Sequence, residues 1–254
     1  MEIAMKSHVG CIRQLNEDFY ACTVDDHGRV FSIVADGMGG HQAGDVASRM
    51  AVEGILRELS ELEPDLERED ARERLMHAMV VTNEAVYRHA LENPECNGMG
   101  TTVVCALIDD EGGVLAHVGD SRIYLYTADG LKQQTEDHTL VHELMKSGQI
   151  TSEQAAVHPQ RNVIMRALGT EKDVRVDLGE FRWEQDDVLL LCSDGLTNKV
   201  SKSQIESLLG SQLPLKEQID ALVQHALDAG GEDNVTVVAV RNRDEAVNTG
   251  RKEG

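Results

Sequence analysis

Aromatic side chains are scarce: Phe, Trp and Tyr together fill 3% of 254 positions, so the core must be built from Val, Leu, Ile, Ala and Met. Basic charge is scarce as well, with 24 Lys+Arg against 45 Asp+Glu and a formal net charge of −21. Affinity for nucleic acid comes largely from Lys and Arg neutralising phosphates, so this balance excludes a phosphate-backbone binder. No apolar run approaches the roughly 20 residues that cross a bilayer. The longest is about Thr101 to Ile108, and the opening MEIAMKSH lacks the apolar stretch of a signal peptide. Cysteines are few, odd in number and without CxxC spacing (Cys11, Cys22, Cys96, Cys105, Cys192), which argues against a zinc site or a disulfide framework. Cys22, Cys105 and Cys192 lie in strand-like apolar runs and read as small buried hydrophobes. The expectation is a cytoplasmic, soluble chain with free thiols and no membrane insertion. Its 41% hydrophobic content suffices for a folded core.

What is present falls into short β-like runs: Phe19 to Val24, Val30 to Ala35, Thr101 to Ile108, Val114 to Val118, Ile123 to Tyr126, Val174 to Phe181, Val188 to Cys192 and Val235 to Val240. Turn signals such as Asp25-Asp26-His27-Gly28 and Asp129-Gly130 predict hairpins. Amphipathic segments at about Gly44 to Leu62, Glu67 to Glu92 and Leu215 to Ala229 predict helices. The order is not the βαβα alternation of a doubly wound sheet, so the fold class is α+β with helices packed over antiparallel sheets. The acidic stretch Glu58 to Glu73, broken by Pro64, reads as a solvated loop between helices.

The informative pattern is where certain aspartates sit. Three apolar runs end in Asp36-Gly37, Asp120-Ser121 and Asp194-Gly195, and two others begin just after Asn16-Glu17-Asp18 and Glu232-Asp233-Asn234. In an antiparallel sheet the end of one strand lies beside the start of its neighbour, so five acidic groups can converge on one edge. Carboxylates crowded at the edge of an apolar core cannot all stay ionised without a compensating cation. An all-oxygen donor set favours Mg²⁺ or Mn²⁺ over Zn²⁺. Other motifs fail: Gly37-Met38-Gly39-Gly40-His41-Gln42 lacks the third glycine of a dinucleotide fingerprint, no P-loop occurs, and His142-Glu143 has Lys146 where a zinc motif needs its second histidine.

Arg13-x-x-Asn16-Glu17-Asp18, Ala35-Asp36-Gly37-Met38-Gly39-Gly40-His41, Gly100-Thr101-Thr102, Gly119-Asp120-Ser121-Arg122, Cys192-Ser193-Asp194-Gly195-Leu196 and Glu232-Asp233-Asn234-Val235-Thr236 resemble the successive signatures of the metal-dependent PPM family, the type 2C serine/threonine protein phosphatases, in its bacterial branch. The resemblance runs from about residue 7 to 241. It implies one domain over 1–241, a four-layer α-β-β-α sandwich of two antiparallel sheets flanked by helices, a flap subregion at about 137–168 and a polar, frayed tail at 242–254. It implies two Mn²⁺ or Mg²⁺ ions, with Asp36 bridging, the Gly37 carbonyl, Asp194 and Asp233 as direct ligands, and Glu17 and Asp18 acting through water. A third, weaker site would use Asp120 and Asp194. Arg13 would clamp the phosphate, because its planar paired donors suit phosphate oxygens and a lysine would substitute poorly.

Where the animal branch carries a histidine proposed as general acid, this chain has Met38, which cannot donate a proton. That leaves His41 or a water on the metals as the acid, or His41 lining the cleft without proton transfer. In the flap, Arg161 and Arg166 would meet phosphate or acidic substrate groups, or form structural ion pairs. The implied activity is hydrolysis of phosphoserine and phosphothreonine in proteins by a metal-activated water, opposing a bacterial Ser/Thr kinase, in a monomer. A catalytically silent phosphoprotein-binding module and a two-metal hydrolase of small phosphoesters are the competing readings.

Overall fold

The computed structural model describes residues 1–40, 43–60, 62–63 and 66–243. Its strands are β1 (Glu2–His8), β2 (Asp18–Val24), β3 (Val30–Met38), β4 (Gly100–Thr101), β5 (Val103–Asp109), β6 (Gly112–Val118), β7 (Arg122–Thr127), β8 (Gly130–Gln133), β9 (Asp177–Arg182), β10 (Val188–Cys192) and β11 (Val235–Arg241). The helices are α1 (Ala43–Glu58), α2 (Arg68–Glu92), α3 (Leu140–Lys146), α4 (Ser152–Ala156), α5 (Asp194–Thr197), α6 (Lys202–Leu209) and α7 (Leu215–Asp228). One antiparallel sheet has the order β1-β11-β10-β7-β8 and the other β2-β3-β5-β6-β9, with β4 pairing the end of β3.

Three apolar layers hold these elements together. Val34, Val104, Leu115, Ile123, Leu189, Leu191, Val238 and Val240 interdigitate between the two sheets. On the outer face of one sheet, Ile33, Cys105 and Ala116 meet α1 and α2 through Ala47, Ala51, Ile55, Leu75, Met79 and Val86. On the outer face of the other, Leu190, Cys192, Val237 and Ala239 meet α6 and α7 through Ile205, Leu209, Ile219, Leu222 and Val223. This is the α-β-β-α sandwich. It explains why Val188–Cys192 is a continuous apolar run: a strand covered on both faces cannot alternate. With so few aromatics, each small layer relies on many Val, Leu and Ile side chains, each contributing about 1.5–3 kcal/mol on burial.

The predicted strands are found with instructive differences. The run from Thr101 to Ile108 is broken at Thr102, because the Thr101 hydroxyl and the Thr102 N–H both donate to the Asp36 carbonyl at 2.9 Å, bending the chain toward β3. The strand expected from Val174 starts only at Asp177, where pairing with His117 begins. The acidic stretch is not simply a loop: Glu58 ends α1 and Glu69, Asp70 and Glu73 lie in α2, while Glu61, Pro64 and Asp65 lie outside the described residues. β1, α5 and α6 have no counterpart in the sequence expectations, and β8 is the second arm of the expected Asp129-Gly130 hairpin. Of the expected frayed tail, Asn242 and Arg243 are instead tied down, since Asn242 exchanges backbone hydrogen bonds with Asp186 and Asp187 and Arg243 pairs with Asp186; 244–254 lie outside the described residues. All five cysteines are free thiols. Among the described residues no helix is long and apolar enough to cross a membrane.

Candidate metal and phosphate site

The five acidic positions do converge. In the β2–β3 ladder Asp18 lies directly opposite Asp36, so both side chains leave the same face of the sheet at the same edge. β6 runs parallel to β3 through the intervening β5 and delivers Asp120 just beyond its end. In the other sheet β10 ends beside the start of β11, bringing Asp194 and Asp233 to the corresponding edge.

Hydrogen bonds stitch the two edges together. Ser193 Oγ donates to Asp18 Oδ2 at 2.8 Å and accepts from the Thr236 N–H at 3.0 Å, tying the end of β10 to the start of β2. Asn234 Oδ1 accepts from the Glu17 N–H at 2.8 Å, while its amide donates to the carbonyls of Val9 and Leu15. Asn234 thus fixes the loop that carries Arg13. Thr102 Oγ1 sits between the Asp36 N–H and the Ser121 hydroxyl, linking the Asp36 and Asp120 turns. Gly37 and Gly44 pack backbone to backbone: a Cβ on Gly37 would collide with the Gly44 carbonyl, and one on Gly44 with the Glu17 carboxylate. Only glycine lets the strand and the helix start approach this closely.

The electrostatics are unusual for groups of one sign. Burial and the charges of Asp18, Asp194, Asp120 and Asp233 push the Asp36 carboxyl well above the ordinary carboxylate range. Burial pushes Asp18 up to about 7, against the pull of its Thr236 and Ser193 partners. Burial and Asp194 push Asp120 up to about 7. Burial and Asp233 raise Asp194, and burial raises Glu17 despite Arg13. Glu17 Oε1, Asp18 Oδ1 and Asp194 Oδ1 are buried and meet no hydrogen-bond donor. Unpaired buried acceptors are costly, and the partner this donor set suits is a hard divalent cation. No three of these carboxylates bring oxygens within 4.8 Å of one another among the described residues. Such spacing is compatible with Mg²⁺-like ions that take one or two protein carboxylates each and keep water for the rest.

Arg13 reaches the same edge, where it donates to Asp233 Oδ2 at 3.0 Å and lies 3.9 Å from Glu17. Its side chain is half exposed, so most of its five N–H donors remain available to a ligand. Met38, at the end of β3, is half-buried. His41 lies outside the described residues. The expected flap contains α3 and α4, and within it Arg166 forms a structural ion pair with Asp177 at 3.3 Å, whereas Arg161 is exposed.

A second cluster escaped the sequence reading. His117 and His138 stack with ring centroids 4.7 Å apart, and with Asp177 they gather ligand-type atoms within 4.8 Å. His138 Nδ1 accepts from the Gly119 N–H at 3.1 Å, which places its proton on Nε2, facing Asp177 Oδ2 at 3.1 Å. The His138 backbone donates to the Gly119 carbonyl and accepts from Met165. One residue therefore knots the turn before Asp120 to the chain around Met165. Beside it, Arg122 grips Asp137 through Nε and Nη2 at 2.6–3.1 Å. Asp137-His138 follows no apolar run, and its partner Asp177 is 39 residues away, so no local pattern marked it.

Comparison with known proteins identifies the family. The protein phosphatase 2C family pattern matches residues 11–235. The chain is 42% identical to a serine/threonine phosphatase stp of Listeria innocua over 240 residues, 94% of this chain and 95% of that protein. It is 41% identical to protein phosphatase PhpP of Streptococcus pneumoniae over 246 residues, 96% and 99% of the two chains. The crystal structure of the serine/threonine phosphatase PstP/Ppp of Mycobacterium tuberculosis superposes with a TM-score of 0.86 at 38% identity, covering 96% of this chain and 99% of that one. Six motifs in order, a sandwich whose two sheets meet at one acidic edge, and a family match over most of its length place the chain in the protein phosphatase 2C family of metal-dependent protein phosphatases.

Proposed function

We propose that the chain removes phosphate from phosphoserine and phosphothreonine in proteins at a binuclear Mn²⁺ or Mg²⁺ centre, with a third, weaker ion site. The observation that carries the reading is the set of buried carboxylates at one edge of the sandwich, three of whose oxygens have no donor. Asp36, the Gly37 carbonyl, Asp194 and Asp233 would hold the ions directly, Glu17 and Asp18 would hold them through water, and Asp120 would belong to the third site. Ions held there would supply a water nucleophile at neutral pH and offset charge on the phosphoryl oxygens. Arg13 binds and orients the phosphate with paired N–H donors, and Asp233 and Glu17 hold its guanidinium in place. Asn234 keeps the Arg13 loop against β2, and Gly37 keeps its carbonyl at the edge by allowing α1 to start in contact with it. Met38 gives the site no proton donor at the position after Gly37, so protonation of the leaving oxygen falls to another group, His41 or a water on the metals being the candidates.

The same reading makes residues 1–241 a single monomeric, cytoplasmic domain that opposes a Ser/Thr kinase of the same cell. The test is turnover of a phosphothreonine peptide and of p-nitrophenyl phosphate, each with Mn²⁺ and with chelator. Metal-dependent hydrolysis of the peptide is expected. Hydrolysis of the small ester alone would favour the small-phosphoester reading, and no metal-dependent turnover of either would favour the silent binding module.

A further inference from the structure

A groove of about 1270 Å³ opens directly beside Arg13 and Glu17, on the side bounded by α1 and by the turn that follows α2. It exceeds the 300–1,000 Å³ usual for a small ligand, and extended chain advances only about 3.3 Å per residue. Its size therefore suits several residues of polypeptide. Its wall is mixed: Leu15, Val46 and Pro94 offer apolar surface, Cys96 lies buried at the turn, and Glu95 lines it as an exposed residue. Leu15 is 38% exposed and its neighbour Ile12 68%, so large apolar side chains bracket Arg13 in the open. The Arg13 charge is met by Asp233 and Glu17, whereas Glu95 pairs with no cation among the described residues.

We propose that this groove receives the segment of a phosphoprotein substrate that flanks the phosphorylated residue, packing an apolar side chain against Leu15, Val46 and Pro94 and a lysine or arginine against Glu95. The inference rests on the reading of Arg13 as the phosphate-binding group. A phosphoserine or phosphothreonine side chain is short, so once its phosphate sits on Arg13 the substrate backbone must lie against the adjoining surface. The groove is continuous with that point, and among the described residues Glu95 is the acid in its wall that forms no ion pair. Leu15 and Glu95 would thus set which phosphorylated sites are processed, without taking part in the chemistry.

The experiment uses the full chain in Mn²⁺ with three substrates: p-nitrophenyl phosphate, a phosphothreonine peptide with lysines on both flanks, and its counterpart with glutamates. Glu184, exposed near the opposite end of β10, supplies a control, because Glu184→Lys changes the net charge as Glu95→Lys does. Assays at about 0.5 M salt screen long-range attraction to within a few ångströms. Glu95→Lys is expected to raise KM for the lysine peptide about tenfold, to lower it for the glutamate peptide, and to leave p-nitrophenyl phosphate within twofold. Leu15→Ala is expected to raise KM for both peptides severalfold with kcat retained, and Glu184→Lys to change nothing. Equal effects of Glu95→Lys and Glu184→Lys, or peptide kinetics indifferent to both groove variants, would overturn the proposal. Failure of the wild type to hydrolyse any of the three would instead overturn the phosphatase reading beneath it.

Discussion

Two acidic regions lie side by side in this molecule and are stabilised in different ways. At the strand ends, Asp18, Asp36, Asp120 and Asp194 crowd together with carboxyls pushed upward and with orphaned oxygens on Asp18 and Asp194. A few residues away, Asp137 is gripped by Arg122 and also accepts from Gln133, and Asp177 is met by His138 and Arg166. There, the hydrogen bond from His138 and the charge of Arg166 outweigh burial and hold the Asp177 carboxyl below its ordinary value. Arginines meet the acids that brace the fold, whereas Asp18, Asp36, Asp120 and Asp194 form no ion pair among the described residues and Arg13 meets only Asp233 and Glu17. An incompletely paired acidic cluster is thus the better marker of function, because nothing in the fold's own interest maintains it.

The sharpest way to break this contrast is to remove one member of each region. Asp36→Ala and Asp194→Ala are each expected to lower Mn²⁺-dependent turnover by about a thousandfold or more, in the range of an essential catalytic group. The metal-free variants should unfold at or above the wild-type midpoint, because each deletion relieves repulsion. A chelator-treated variant markedly less stable than wild type would remove the distinction between the regions. Arg122→Gln should do the converse. Losing the fork on Asp137 strands a largely buried carboxylate, at a cost of about 2 kcal/mol once partial exposure is allowed for, while kcat at saturating Mn²⁺ falls less than tenfold. Denaturant titration in chelator measures the first quantity and steady-state kinetics the second. If Arg122→Gln abolished turnover without lowering stability, the compensated region would have to be counted as part of the site.

The two regions also differed in how far they could be read from the sequence. Asp36, Asp120 and Asp194 each follow a mainly apolar run of residues, so their position at a sheet edge was encoded within about ten residues of chain. The sandwich was equally legible where burial on both faces made strands continuous, as in Val188–Cys192. β1 was not, because an edge strand paired only with β11 and half exposed has little hydrophobic signature. α6 carries a legible sign, the Ser201-x-x-Gln204 capping box. The His117–His138–Asp177 knot had no such sign, since its members come from three separate elements and meet only when β6 pairs with β9. Pairing between distant positions is what a single sequence hides.

The smallest effect is the most discriminating, because the two regions should respond to pH with opposite sign. In the metal-free protein Asp120 titrates at about 7 when folded, against about 3.9 when unfolded. The folded state therefore binds the extra proton between those values, and stability from this group is present at low pH and lost as pH rises through about 7. His138 behaves in reverse. Burial and His117 hold it down to about 4, below the unfolded value of about 6.5, so the unfolded state binds the extra proton and stability is lost as pH falls from about 6.5 toward 4. Thermal unfolding in chelator across pH 4–8 separates the two. Relative to wild type, Asp120→Asn should gain as pH rises, reaching about 5 °C at pH 8, whereas the deficit of His138→Gln should shrink as pH falls below 6.5. Curves that stay parallel to wild type in both variants would mean that neither group is held away from its ordinary pKa. A slope of the same sign in both would mean that the knot around His138 is as short of compensation as the strand-end aspartates, and the contrast between the regions would be lost.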